Sequence, residues 1–149
     1  MNGTEIKQLL VKDWRVLRVF KGVFACDTLP QYIQQGKAHA FVINTDPAHK
    51  PGSHWVALYI DAFGSATYFD SMGLEPFKHD INAFIKRNSF KLISNVMMIQ
   101  SVISSTCGLY CIYFIRQMVR GARLRDIIQH FNPLRPVTND RLIIALVHR

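Results

Sequence analysis

Gln100-Ser101-Val102-Ile103-Ser104-Ser105-Thr106-Cys107-Gly108-Leu109-Tyr110-Cys111 is the stretch on which the rest of the chain turns. A short polar run, Ser104 to Thr106, opens onto a long apolar segment from Leu109 to Val119. Ser, Thr and Gly collect at helix starts because their side chains, or a bare backbone, serve the first unpaired N–H groups. The spacing therefore predicts a helix beginning near Cys107. Leu109, Tyr110, Ile112, Tyr113, Phe114, Ile115, Met118 and Val119 make it apolar almost all round, the mark of a helix buried inside a domain. A thiol at the mouth of such a helix sits at the positive end of its dipole, which favours the thiolate. An isolated cysteine in that position is more often inert core, so the remainder of the chain has to decide.

The chain has 149 residues, a length that suits a single domain spanning 1–149 with a real core. Its 49% hydrophobic content excludes a disordered tail. No apolar run approaches the ~20 residues that cross a bilayer. Met1 to Lys7 carries an early acid, Glu5, and no apolar block, so no secretory signal and no membrane partner are expected. Three cysteines, an odd number, argue for reduced thiols rather than a disulfide framework. Cys107 and Cys111 lie one turn apart, but no nearby His or Cys pair completes a zinc pattern, and no metal is expected. Eighteen Lys and Arg against ten Asp and Glu give a net charge of +8, which favours a polyanionic partner, nucleic acid above all. No zinc-finger, RNA-recognition or basic-zipper consensus is present.

Taken in order, residues 5–21 place Ile6, Leu9, Leu10, Trp14, Leu17 and Phe20 near helical spacing among charged positions, an amphipathic helix giving way to strand near Val16 to Phe20. Ala38 to Asn44 reads as a strand, and Thr45 to Ser53, with Pro47, Pro51 and Gly52, as a loop. His54 to Ile60 and Ala66 to Asp70 are β-branched and aromatic, separated by a hairpin-like Asp61 to Ser65 in which Gly64 takes a positive φ. Antiparallel pairing about that turn brings His54 close to Asp70. Phe77 to Asn88 has the period of an amphipathic helix, and Asn95 to Gln100 reads as a buried strand. After the helix from Cys107, capped at Gly121, come a short helix at Leu124 to His130 and a last one at Arg141 to His148 capped by Thr138-Asn139-Asp140. The expected class is α+β: a central mixed β-sheet packed against a buried helix that carries the cysteine.

Nucleophilic thiol chemistry needs a thiol, an imidazole to take its proton, a group to orient the imidazole, and donors for the oxyanion. Cys107, His54, Asp70 and Gln100 are residues of the right types at element ends. Singly, each has an ordinary structural explanation. In this order, His54-Trp55, Asp70, Gln100 and Cys107-Gly108 resemble the adenain family of adenovirus-type processing proteases and its wider clan of ubiquitin-like-protein proteases. The seven-residue interval from Gln100 to Cys107 and the run Cys107-Gly108-Leu109-Tyr110-Cys111 are similar to the family's Gln and Cys-Gly-Leu-Phe-Cys. Ala40 to Thr45 and Asn132-Pro133 extend the likeness, which covers about Phe24 to Leu146.

The resemblance implies a cysteine endopeptidase of viral or transposon-like origin that cuts structural precursors at Gly-containing sites. Cys107 is then the nucleophile, His54 the base, Asp70 its orienting acid (a Glu in adenain, an Asp in the wider clan) and Gln100 an oxyanion donor. Trp55 and Gly108 would support them, Trp55 beside the imidazole or the Gln or in the core. A clan deconjugase acting on a ubiquitin-like modifier, or a clan acetyltransferase, is the alternative. No metal or other cofactor is required, while DNA is implied as an electrostatic activator, with Arg116, Arg120, Arg123 and Arg125 as its candidate contacts. The family's activating peptide is held by a disulfide to a cysteine ahead of the Gln, and residues 86–99 here contain none. The virion and the host nucleus or cytoplasm are the expected locations.

Overall fold

The computed structural model describes all 149 residues. A five-stranded sheet of order β1-β2-β3-β4-β5 lies at the centre: β1 (Phe20–Ala25), β2 (His39–Asn44), β3 (Trp55–Ile60), β4 (Ser65–Phe69) and β5 (Lys91–Ser94). The two inner pairings, β2 with β3 and β3 with β4, are antiparallel, whereas the outer strands β1 and β5 run parallel to their neighbours. Alternate residues feed two separate cores. Ala40, Val42, Ala57 and Phe69 face α4 (Cys107–Met118), together with α1 (Gly3–Leu10), α2 (Trp14–Leu17), α5 (Leu124–Ile128) and α6 (Pro136–Val147). Phe41, Ile43, Val56, Leu58 and Tyr68 face α3 (His79–Asn88) on the other side. With both faces covered, β2 is buried at every position, which explains its unbroken apolar run. The small side chains Ala40 and Ala57 lie beneath α4, and the Phe114 ring stacks on Phe69 with centroids 4.9 Å apart. The α+β reading, the mixed sheet and the buried helix all hold. No helix is long and apolar enough to cross a membrane.

Four local expectations change. The N-terminal pattern is two helices rather than one, because Asp13 accepts from the N–H of Arg15 and caps a fresh turn. Asn95 to Gln100 is not a strand. Its apolar run is largely exposed, with Val96 77% accessible, and the fifth strand is the polar-looking Lys91–Ser94 just before it. Past Ser94 the ladder is replaced by a side chain: Asn95 accepts from the Asp70 N–H and donates to the Asp70 carbonyl. Thr106 does occupy the N-cap of α4, but its side chain makes no capping bond there. Finally, α6 starts at Pro136, a residue suited to the first helical position, so Thr138, Asn139 and Asp140 lie inside the helix and not at its cap.

Candidate active site

The β3–β4 hairpin sets the geometry. Its turn closes at Gly64, with φ +88°, and its register pairs Ala57 with Phe69. His54 therefore enters β3 at the same end of the sheet at which Asp70 leaves β4. The imidazole Nε2–H donates to Asp70 Oδ1 over 2.6 Å. Asp70 is fully buried, and the same oxygen accepts from the Met72 N–H. With Nε2 committed, Nδ1 is the nitrogen left to the sulfur of Cys107, the first residue of α4. Burial works to raise the Cys107 pKa, but the hydrogen bond from His54 and the N–H groups of Trp55 and Gly108 outweigh it and hold the thiol below its ordinary value. Burial likewise works against a charged His54, yet hydrogen bonds to Asp70 and Cys107 lift its pKa to about 9. Opposite shifts of this kind favour a thiolate–imidazolium pair. Burial pushes the other two thiols the other way, Cys26 upward and Cys111 far upward.

Gln100 lies 3% exposed at the edge of the same cavity, a cleft of about 650 Å³ also lined by His54, Trp55, Cys107 and the start of α1. Its Oε1 accepts from the Ser71 hydroxyl at 2.5 Å and its Nε2 donates to the Ser104 carbonyl at 3.0 Å. Those two bonds fix which end of the amide is nitrogen and leave one N–H of it uncommitted. Ser71 and Asn95 are thus parts of the site that the sequence did not single out, and position beside Asp70 was the only hint for the first. Gly73, with φ +73°, closes the loop after them. A side chain there would meet the Met98 nitrogen at 2.6 Å, so only glycine fits. Gly108 lets Ile6 of α1 approach the start of α4. Trp55 lines the cleft with His54 and Gln100, packs on Gly3 and donates from Nε1 to the Met1 carbonyl.

The arginine group behaves differently from the expectation of a free basic patch. Arg116 is half-buried and donates to the carbonyls of Val147 and Leu9, tying both ends of the chain to α4. Arg120 pairs with Asp13 at 2.6 Å. Only Arg123 and Arg125 are largely exposed, and Asp126 lies beside both. The fold assembles a second basic set that sequence spacing does not group: Arg15, Arg18, Lys21 and Lys37 line a cavity of about 770 Å³ with Trp14 and Tyr59 and no carboxylate.

Comparison with known proteins places these observations. The family model described as Adenovirus endoprotease matches residues 20–134. The protease of ovine adenovirus D serotype 7 is 29% identical over 131 residues, covering 77% of this chain and 65% of that protein. The protease of porcine adenovirus A serotype 3 is 24% identical over 165 residues, covering 97% of this chain and 78% of its own. Among solved structures, ChlaDub1 from Chlamydia trachomatis shares the fold with a TM-score of 0.54 at 16% identity, over 98% of this chain and 75% of that one. The chain spans 65% of the length of the ovine relative.

Proposed function

Because the chain belongs to the adenovirus endoprotease family, we propose that it is a cysteine endopeptidase of a virus or virus-derived element, cutting structural precursor proteins at glycine-containing sites. The observation that carries this reading is the single cluster in which the His54 ring bonds Asp70 on the cleft that holds the Cys107 thiol, with the Gln100 amide on the same cleft. In the acylation step the Cys107 thiolate attacks the scissile carbonyl carbon, and the C=O π pair moves onto oxygen. The free N–H of Gln100 and the backbone N–H at Cys107 receive that oxyanion. Collapse breaks the C–N bond, and the imidazolium of His54 gives its proton to the departing amine. Neutral His54 then takes a proton from water as the water attacks the thioester, and the sulfur leaves as thiolate. Asp70 holds the ring and its charge throughout.

Such an enzyme works in the virion or in the host nucleus or cytoplasm, and the last two keep free thiols reduced. DNA, favoured by the net charge of +8, is taken as a sequence-independent ligand of the basic face around Trp14 rather than of Arg116 and Arg120. The experiment is digestion of capsid-precursor polypeptides by the protein and by Cys107→Ala, read by mass spectrometry. Cuts beside glycine that vanish in the variant are expected. Identical digests from both proteins would remove the reading, and release of a modifier from a Gly-Gly isopeptide alone would replace it by deconjugation.

A further inference from the structure

The C-terminal helix α6 lies beyond the segment that matches the family, and two of its residues are turned inward. Asn139 is 3% exposed; its Nδ2 donates to the Ile99 carbonyl at 2.9 Å and to the Asn132 carbonyl at 2.8 Å. Asp140 is 8% exposed and meets only donors. Its Oδ2 accepts from the Ser101 N–H at 3.2 Å, and its Oδ1 from the hydroxyls of Thr106 and Tyr110, both at 3.0 Å. Gln100 is therefore bracketed: the carbonyl before it is held by Asn139 and the N–H after it by Asp140. The same carboxylate grips the residue immediately before Cys107 and a tyrosine one turn along α4. Thr106 makes no side-chain cap for α4; its hydroxyl donates to Asp140 and also meets the Ser104 hydroxyl at 2.9 Å. The family pattern Cys-Gly-Leu-Phe-Cys has no hydroxyl where this chain has Tyr110.

We propose that Asp140, with Asn139, is a positioning residue for the oxyanion donors, fixing the distance between the Gln100 amide and the start of α4. This inference rests on the protease reading. A buried carboxylate with three donors on two oxygens has well-defined geometry, since each bond restricts the distance and direction at which its donor can lie. Six residues separate Gln100 from Cys107, and Val102 and Ile103 among them are exposed, so the loop has little apolar packing of its own. Without the clamp both donors stay present but their spacing becomes loose. A displacement on the order of 1 Å at a reacting centre costs about 10² in rate.

The test compares two reactions of the same sulfur. Alkylation by iodoacetamide, at its high-pH plateau, needs the thiolate but no oxyanion donor. Binding of the aldehyde acetyl-Leu-Ala-Gly-glycinal forms an S–C bond and puts negative charge on oxygen, as acylation of the matching peptide coumarin amide does. In Asp140→Ala, aldehyde affinity and kcat are expected to fall together by about 10², with KM and plateau alkylation within twofold of wild type. Tyr110→Phe, which keeps the ring, should show the same split at smaller size, and Asp140→Asn an intermediate one. Aldehyde affinity unchanged in a folded Asp140→Ala protein overturns the clamp, and so does equal loss of both reactions in Tyr110→Phe. Failure of the wild-type protein to bind the aldehyde or cleave the amide, with Cys107 still alkylated, overturns the protease reading and the clamp with it.

Discussion

For His54 the decisive quantity is how long it keeps its proton as pH rises. Its pKa stands near 9 because the Asp70 and Cys107 hydrogen bonds outweigh burial, while that of Cys107 is held below its ordinary value. The reactive pair therefore exists between the two: below the lowered value the thiol is protonated, and above about 9 the imidazolium is lost. We expect kcat/KM to be bell-shaped with its alkaline limb near 9, whereas Cys107 alkylation keeps its plateau past that limb because it needs no acid. In Asp70→Asn the alkaline limb should move to lower pH and turnover should fall by about 10²–10⁴; an unmoved limb would mean Asp70 does not hold the charge. Ser71→Ala offers a finer probe. It frees the Gln100 amide to turn over, so kcat should drop about tenfold, the size of one hydrogen bond, against ~10²–10³ for Gln100→Ala. His54, Asp70 and Cys107 were legible because each is a reactive type at an element boundary and the hairpin brings the first two together; Gln100, inside a loop, was legible only through its place ahead of Cys107-Gly108 in the family pattern. Ser71 and Asn95 were not. Their partners lie 29 and 25 residues away, and nothing in local pattern announces a bond across that distance.

Between Ser94 and Gln100 the chain passes from a ladder to a set of individual bonds, and this is where element-scale reading failed. Val96-Met97-Met98-Ile99 is apolar enough to look like a buried strand, yet only Ile99 is buried. Lys91 to Ser94 looks too polar, yet it pairs with β4. An edge strand is chosen by the hydrogen bonds its neighbour offers, which hydrophobic period does not report. Asn95 then does for Asp70 what a strand partner would. Asn95→Ala leaves a buried N–H and carbonyl unpaired, a loss of about 1–3 kcal/mol, and should lower Tm by several degrees in thermal unfolding while reducing activity through Asp70. A Tm within a degree of wild type would show that water replaces the amide. The helix from Cys107, by contrast, was readable end to end, because an all-round apolar surface admits no other placement. Its companion α6 begins earlier than its pattern suggests, since Asn139 and Asp140 have the composition of a cap while Pro136 is the true start.

At the scale of the molecule, charge and assembly are separable. Of the four arginines that sequence spacing groups as a DNA surface, two are structural, so reversal of Arg116 should loosen the ends of the chain. Reversal of Arg15 and Arg18 to Glu should instead weaken DNA binding and flatten the slope of log K against log salt by about 0.9 for each phosphate no longer neutralised. Fluorescence anisotropy at several salt concentrations measures it; peptide turnover without DNA should not change, and an unaltered slope would clear the Trp14 face of any such role. Class, sheet and helix were evident in the sequence, whereas this redistribution of basic residues was not, because exposure depends on which carboxylates and carbonyls the fold delivers to each guanidinium. The site, for its part, is drawn from segments far apart along the chain: a hairpin at 54–70, a loop at 100–106, the mouth of a sealed helix and two residues of the last one. None of these segments can activate the sulfur alone, and bringing them together costs the closure of long loops. Until the hairpin that carries His54 and Asp70 has docked on α4, Cys107 is expected to react as an ordinary free thiol, so the onset of fast alkylation at Cys107 is a clock for that step of folding.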